Sequence, residues 1–254
     1  MGRRGFTLIE LLVVVSIIAL LIAILLPGLA KSRGRARTTV CASNLHALGI
    51  GVNLYLDDYG GNFFRYYVNT TAASPLGPGR LWWFGFEPNG PGNTANRPLD
   101  KTASPLAPYT ANLDNRMQCP DFPYGDPLYF PKFNQHAASY GYNWNLGNPS
   151  LALPAKREKF LDRAANILVF ADAVQFDSTK TFNEGHYITY TNPLTLSGYG
   201  HFRHPQGMSG QAQYILLDGH MESERLSGPS FRTVAGSPAG NLTGLVGGLS
   251  LYGD

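Results

Sequence analysis

The run Phe6–Leu26, FTLIELLVVVSIIALLIAILL, constrains this chain more than any other feature. Its twenty-one residues are almost entirely Leu, Ile, Val and Ala, with one carboxylate, Glu10, near the start. At about 1.5 Å rise per residue, a helix of that length crosses the ~30 Å hydrocarbon core of a bilayer. A charge there costs roughly 2.5–3.5 kcal/mol on insertion scales, so an intramembrane Glu points to function and calls for a partner. A secretory signal peptide fits poorly. Its apolar region is about 7–15 residues, lacks an acid and precedes a small-x-small cut. The stretch after this run, PGLAKSRGRAR, offers no such site. A plain anchor explains the length and apolarity but not the residues GFTLIE.

Those residues carry a family resemblance. MGRRG followed by FTLIE, the apolar run and Pro27 closely resemble the type IV prepilin and type II secretion pseudopilin family over about the first sixty residues. The resemblance implies that Arg3 and Arg4 belong to a leader and that prepilin peptidase cuts between Gly5 and Phe6. It implies N-methylation of the new Phe6 amine, an assembly role for Glu10 and a helix kink at Pro27. In a filament, the cationic N-terminus of one subunit then meets Glu10 of its neighbour, so neither charge is alone in apolar surroundings. The implied partners are the peptidase, other pilin-like subunits in a homopolymer or mixed filament, an inner-membrane assembly platform and membrane lipid. The implied location is the inner membrane, single-pass, with the C-terminal domain in the periplasm and assembly into a periplasmic or surface filament. Charge bias alone favours the opposite topology or leaves it undecided, since Lys31, Arg33, Arg35 and Arg37 follow the span, against Arg3, Arg4 and the initiator amine before it. The processing motif takes precedence, because the peptidase reading such leaders works from the cytoplasmic side. The basic residues are then expected on the filament surface or near headgroups.

Of 254 residues, the leader is 1–5, the membrane half of the first helix 6–26 and its amphipathic half 27–60. A β domain over 61–226 is long enough for its own core, and 227–254 is a Gly-rich tail of edge or flexible character. The expected class is α+β and pilin-like, with the long helix packed on an antiparallel sheet. Net charge is +3, or 3 − 2 = +1 without Arg3 and Arg4, so no nucleic-acid partner is indicated. The two cysteines, Cys41 and Cys119, permit one disulfide in an oxidising compartment, or equally two separately buried small hydrophobes.

Beyond Pro27, Cys41, Leu45, Leu48, Val52, Tyr55 and Tyr59 recur at helical spacing, with Ser43, Asn44, His46, Asn53 and Asp57 off the stripe. Gly49 and Gly51 are either close-packing points or soft spots. Asp58-Tyr59-Gly60-Gly61-Asn62 stops the helix. Residues 62–115 carry mostly loop signals, apart from the aromatic run LWWFGF at 81–86, read as packing rather than ligand stacking. Strands are expected at 139–145, at 166–171 ending before Asp172, and at 213–217. The last turns at Asp218-Gly219, for which a type I′ turn is predicted.

These later pieces resemble a pilin-like family abundant in Planctomycetes, Verrucomicrobia and Lentisphaerae. The resembling residues are Cys119-Pro120, Ser139–Asn143, Asp172, His204 and Asp218-Gly219. The family's spacing from His to Asp is shorter than the thirteen residues, 205–217, found here, and an insertion at GMSGQ accounts for the difference.

His201, His204, His220, Asp172 and Asp218 suit either a metal site or plain turn and strand-end chemistry, and the second reading is preferred. Calcium is the candidate ion, as in some secretion pseudopilins, yet no dense acidic loop appears, so no cofactor is expected. G-x-S-x-G, H-E-x-x-H and phosphate-loop motifs are absent and nothing identifies a positioned nucleophile, so an enzyme is not expected. The expected function is a structural subunit of a type II secretion pseudopilus. The alternatives are a type IV pilus subunit, or a membrane-tethered glycan-binding module using Trp82, Trp83 and Trp144.

Overall fold

The computed structural model describes residues 6–90, 95–176, 181–188, 199–204, 210–225, 232–234 and 237–240. Gly5, the basic leader and most of the Gly-rich tail lie outside the described residues. One helix, α1 (Leu8–Asp58), dominates the chain and runs without interruption through Pro27. At 1.5 Å per residue its 51 residues extend about 75 Å. Every residue from Phe6 to Arg33 is exposed, and full burial begins at Cys41. The apolar first half therefore projects from the domain, and only the second half packs on it.

The packed face follows the sequence stripe and then departs from it. Cys41, Leu45, Leu48 and Val52 are fully buried, but Leu56 completes the face. Tyr55 is half-buried, and Tyr59 is exposed as the C-cap residue, past the helix end. The two tyrosines stack on each other instead, with centroids 4.2 Å apart. Asn44, expected off the face, is buried because its amide donates to the Gln118 carbonyl. Each wholly buried Leu or Val is worth about 1.5–3 kcal/mol of transfer free energy. Gly49 and Gly51 are close-packing points. A Cβ on Gly49 would stand 2.2 Å from Ile215 Cδ1, and one on Gly51 2.2 Å from Thr110 Oγ1. The helix ends where Gly60 and Gly61 adopt positive φ and the Gly61 amide donates to the Leu56 carbonyl.

After α1, the stretch read as mostly loop holds a small antiparallel sheet of β1 (Tyr67–Thr70), β2 (Gly79–Trp82) and β3 (Gly85–Pro88). The aromatic run is thus a tight hairpin with Trp83 and Phe84 at its turn, both fully buried. A short helix, α2 (Leu113–Arg116), precedes Cys119.

The larger sheet is built around β5 (Leu168–Phe176). β4 (Tyr140–Asn143), β6 (Phe182–Glu184), β8 (Tyr199–His201) and β9 (Gln211–Leu216) all pair with β5 antiparallel. β7 (Tyr187–Ile188) pairs with β4 in parallel. β10 (Met221–Arg225) extends one side, and β12 (Ser237–Gly240) with β11 (Arg232–Val234) forms the other. The architecture is α+β, a long apolar N-terminal helix followed by a largely antiparallel sheet domain. β5 runs past Asp172 rather than stopping before it, because β6 and β8 pair with its second half.

The β9–β10 hairpin turns at Asp218-Gly219, but not as type I′. Only Gly219 has positive φ, at 93°, and its amide donates to the Leu216 carbonyl, while the Leu216 amide donates to the His220 carbonyl. That is a three-residue loop with a glycine bulge, which needs one left-handed residue and not two.

Candidate functional site

Along α1, polar groups meet apolar surroundings at two places. The first is the start of α1. Thr7 is its N-cap, and its Oγ1 accepts from the Glu10 amide at 3.2 Å. Glu10 Oε2 accepts in return from the Thr7 amide at 2.8 Å and the Thr7 hydroxyl at 2.7 Å. This is a reciprocal capping box, satisfying donors that an apolar medium would leave orphaned. The sequence reading seeks a partner for Glu10 only in another subunit, although T-x-x-E before an apolar run signals this cap. The arrangement uses one carboxylate oxygen, Oε2, for Thr7. From Phe6 through Leu29 the apolar side chains around it are about half or more exposed, so the segment is a surface seeking lipid or another apolar helix.

The second place is where α1 is fastened to the sheet domain. Cys41 on α1 and Cys119 form a disulfide, with Cα atoms 5.3 Å apart. Beside it His204 is wholly buried between two carboxylates. Its Nδ1 lies 2.7 Å from Asp121 Oδ2 and its Nε2 3.3 Å from Asp172 Oδ2. Arg37, one turn before Cys41, pairs with the other oxygen of Asp121. One of the four basic residues expected at the filament surface or near lipid is therefore committed to the domain. Asp172 also pairs with buried Arg203, whose guanidinium donates to the Ser139 and Ala173 carbonyls. The Gln213 amide donates to Asp172 Oδ2 at 2.8 Å.

The electrostatics are mutually supporting. Burial opposes the charged form of Asp172, but the charges of Arg203 and His204 outweigh it and hold the carboxyl below its usual range. Burial likewise opposes charge on Asp121, and the hydrogen bonds with His204 and Arg37 prevail, again lowering it. For His204, burial pulls the imidazole down, while Asp172 and Asp121 carry it above its ordinary value. The cluster is a closed ionic network, with a cation beside every anion.

Several expected site residues fall elsewhere. Asp172 and His204 meet, but Asp218 and His220 pair only with each other and Glu222 at the exposed hairpin. His204 is not a strand-end group but the centre of the buried network. His201 is buried beside Arg203, 3.2 Å from its Nη1. Sequence reasoning does not single out Asp121, Arg203 or Arg37 for this site. The available signal is an acid inside the apolar run LVFADAVQF, which requires a buried cation. The ligand atoms of Cys41, Cys119 and His204 gather within 4.8 Å, but the two sulfurs are joined to each other and are not thiolates. Trp83 is fully buried, Trp82 nearly so, and Trp144 half-buried.

Comparison with known proteins bears on the first place. Residues 1–26 match the prokaryotic N-terminal methylation motif. Over 45 residues, 18% of this chain, the sequence is 54% identical to the type IV wide pilus major component PilA4 of Thermus thermophilus. The matched stretch spans 34% of that relative's length, about a third. No solved structure matches the chain. By the motif and this relative the chain is similar to type IV prepilins, a likeness carried by its first residues.

Proposed function

We propose that the chain is a structural subunit that is cut after Gly5, methylated on Phe6 and polymerised through α1. The observation that carries this is the division of α1. A half about 40 Å long stands clear of the domain with its apolar side chains exposed, with an acid as the fifth residue of the processed chain. Before assembly lipid covers that surface, with the domain on the periplasmic side of the inner membrane. In the filament the same surface packs against α1 of neighbouring subunits. The buried network and disulfide suit this role, because a helix drawn from the bilayer under load needs a firm attachment to its domain.

The filament we favour is the type II secretion pseudopilus. A surface pilus is the second reading, supported by the Thermus relative, which is a pilus major component. Deleting the gene and scoring both secreted protein and surface filaments separates them. Loss of secretion with filaments unchanged supports the first, and loss of filaments alone supports the second. If Met1 persists in membranes that contain active prepilin peptidase, the processing step and the reading built on it fail.

A further inference from the structure

The neck of α1, between its apolar half and the domain, carries three cations that the fold does not use. Lys31, Arg33 and Arg35 are all exposed, and among the described residues no carboxylate pairs with any of them. Arg37, the next in the series, is the contrast, since Asp121 takes it and ties it to the domain. At about 100° per residue, Lys31 and Arg35 share one face of the helix and Arg33 lies near the opposite one. The three form a collar around the neck, not a stripe along it.

The helix rise sets their depth. About 20 residues at 1.5 Å each span a hydrocarbon core of ~30 Å, so with Phe6 at one face the core ends near Leu26. Lys31, Arg33 and Arg35 then stand roughly 7–14 Å beyond it. The headgroup layer occupies about the first 5–8 Å of that distance. Helical side chains lean towards the N-terminus, which here is towards the bilayer, and the long Lys and Arg stems carry their charges back to that layer. Cations on this side of a span run against the usual charge bias, which calls for a local partner of opposite sign.

Lipid phosphate meets these requirements better than a protein acid does. A carboxylate on a neighbouring copy meets one side of the helix, whereas headgroups surround it as the collar does. The collar also continues the exposed apolar surface, and the Arg37–Asp121 pair seats the base of the domain just past it. We propose that Lys31, Arg33 and Arg35 bind the phosphates of anionic phospholipids around α1, holding the unassembled subunit at the membrane face. The binding rests on the membrane placement of the apolar half put forward under the proposed function. It is electrostatic and exposed, so salt screens it.

Spin-labelled phosphatidylglycerol and phosphatidylcholine, each at trace level in phosphatidylcholine vesicles holding the full chain, test it. Vesicle flotation first establishes insertion. The chain is expected to immobilise the anionic lipid in preference to the neutral one by at least about fivefold, the contribution of one such cation near a lipid anion. Salt at about 1 M should erase the preference. Lys31→Gln/Arg33→Gln/Arg35→Gln should float as wild type does, melt at the same temperature and show no preference. Equal immobilisation of the two lipids by a floated wild-type chain overturns the proposal and leaves the membrane placement standing. A wild-type chain that does not float overturns both. A preference that the triple variant retains also overturns the proposal, and if that variant fails to enter filaments, the collar serves a neighbouring copy instead.

Discussion

Asp172 and Arg203 form an ion pair almost wholly removed from solvent, with 0% and 1% of their side chains exposed. Such a pair adds little net stability relative to apolar residues, yet breaking one half leaves a bare charge in the core. Asp172→Asn is expected to lower the unfolding free energy by about 3–5 kcal/mol. Arg203→Met should do the same, and the Asp172→Asn/Arg203→Met double variant should lose less than the sum of the two. Denaturant melts of the purified full chain measure this, and simple additivity would refute the coupling.

The buried network also sets a pH profile. His204 is raised in the folded state, so its contribution is full below its unfolded value and fades as pH rises through the folded one. Asp121 and Asp172 are lowered, so theirs is full above the unfolded carboxyl value and fades as pH falls through the folded ones. The network's own contribution is therefore full between about pH 4 and pH 6.5, the ordinary carboxyl and imidazole values. Melting temperature against pH should decline on the alkaline side, and His204→Gln should flatten that limb. A limb unchanged in the variant would place the titration elsewhere.

Glu10 has two separable roles, because the cap to Thr7 needs an acceptor while pairing with a neighbour's amine needs a charge. Glu10→Gln keeps an N3 acceptor for the cap and loses the charge. It should insert in the membrane, be processed and fail to enter filaments, as Glu10→Leu should. Normal incorporation of Glu10→Gln alone would reduce Glu10 to a capping residue.

The Cys41–Cys119 bridge closes a separation of 78 residues in sequence, so in the chain-entropy account it stabilises by about 2–5 kcal/mol. Cys41→Ser/Cys119→Ser should shift the denaturant midpoint accordingly while preserving the sheet signal in circular dichroism. A midpoint identical to wild type would mean that the Arg37–Asp121 pair and the α1 stripe suffice.

At the β9–β10 turn only Gly219 is left-handed, so Gly219→Val should destabilise by about 1–2 kcal/mol. Asp218→Asn should stay within about 0.5 kcal/mol, with or without calcium, because the exposed Asp218 serves only the turn and His220. A calcium-dependent melting shift that disappears in Asp218→Asn would reveal an ion site there.

Sequence alone determined the parts governed by local pattern. The apolar run dictated a membrane-length helix, the Gly60-Gly61 pair its stop, and the spacing from Cys41 to Val52 the packed face. The Asp-Gly dipeptide placed the β9–β10 hairpin, and the motif at the N-terminus named the family likeness. Tertiary structure decided the rest, because it depends on pairings between distant residues. β5 outran its expected end because flanking strands paired with its second half. Leu56 displaced Tyr59 because the helix ended before the tyrosine could pack. Residues 62–115 hid three short strands among Gly and Pro, since each gains its hydrogen bonds only from its neighbours. Asp121, Asp172, Arg203 and His204 are ordinary residues one by one. Their meeting is decided by the sheet register, and only burial, which no local pattern encodes, turns them into a charged network.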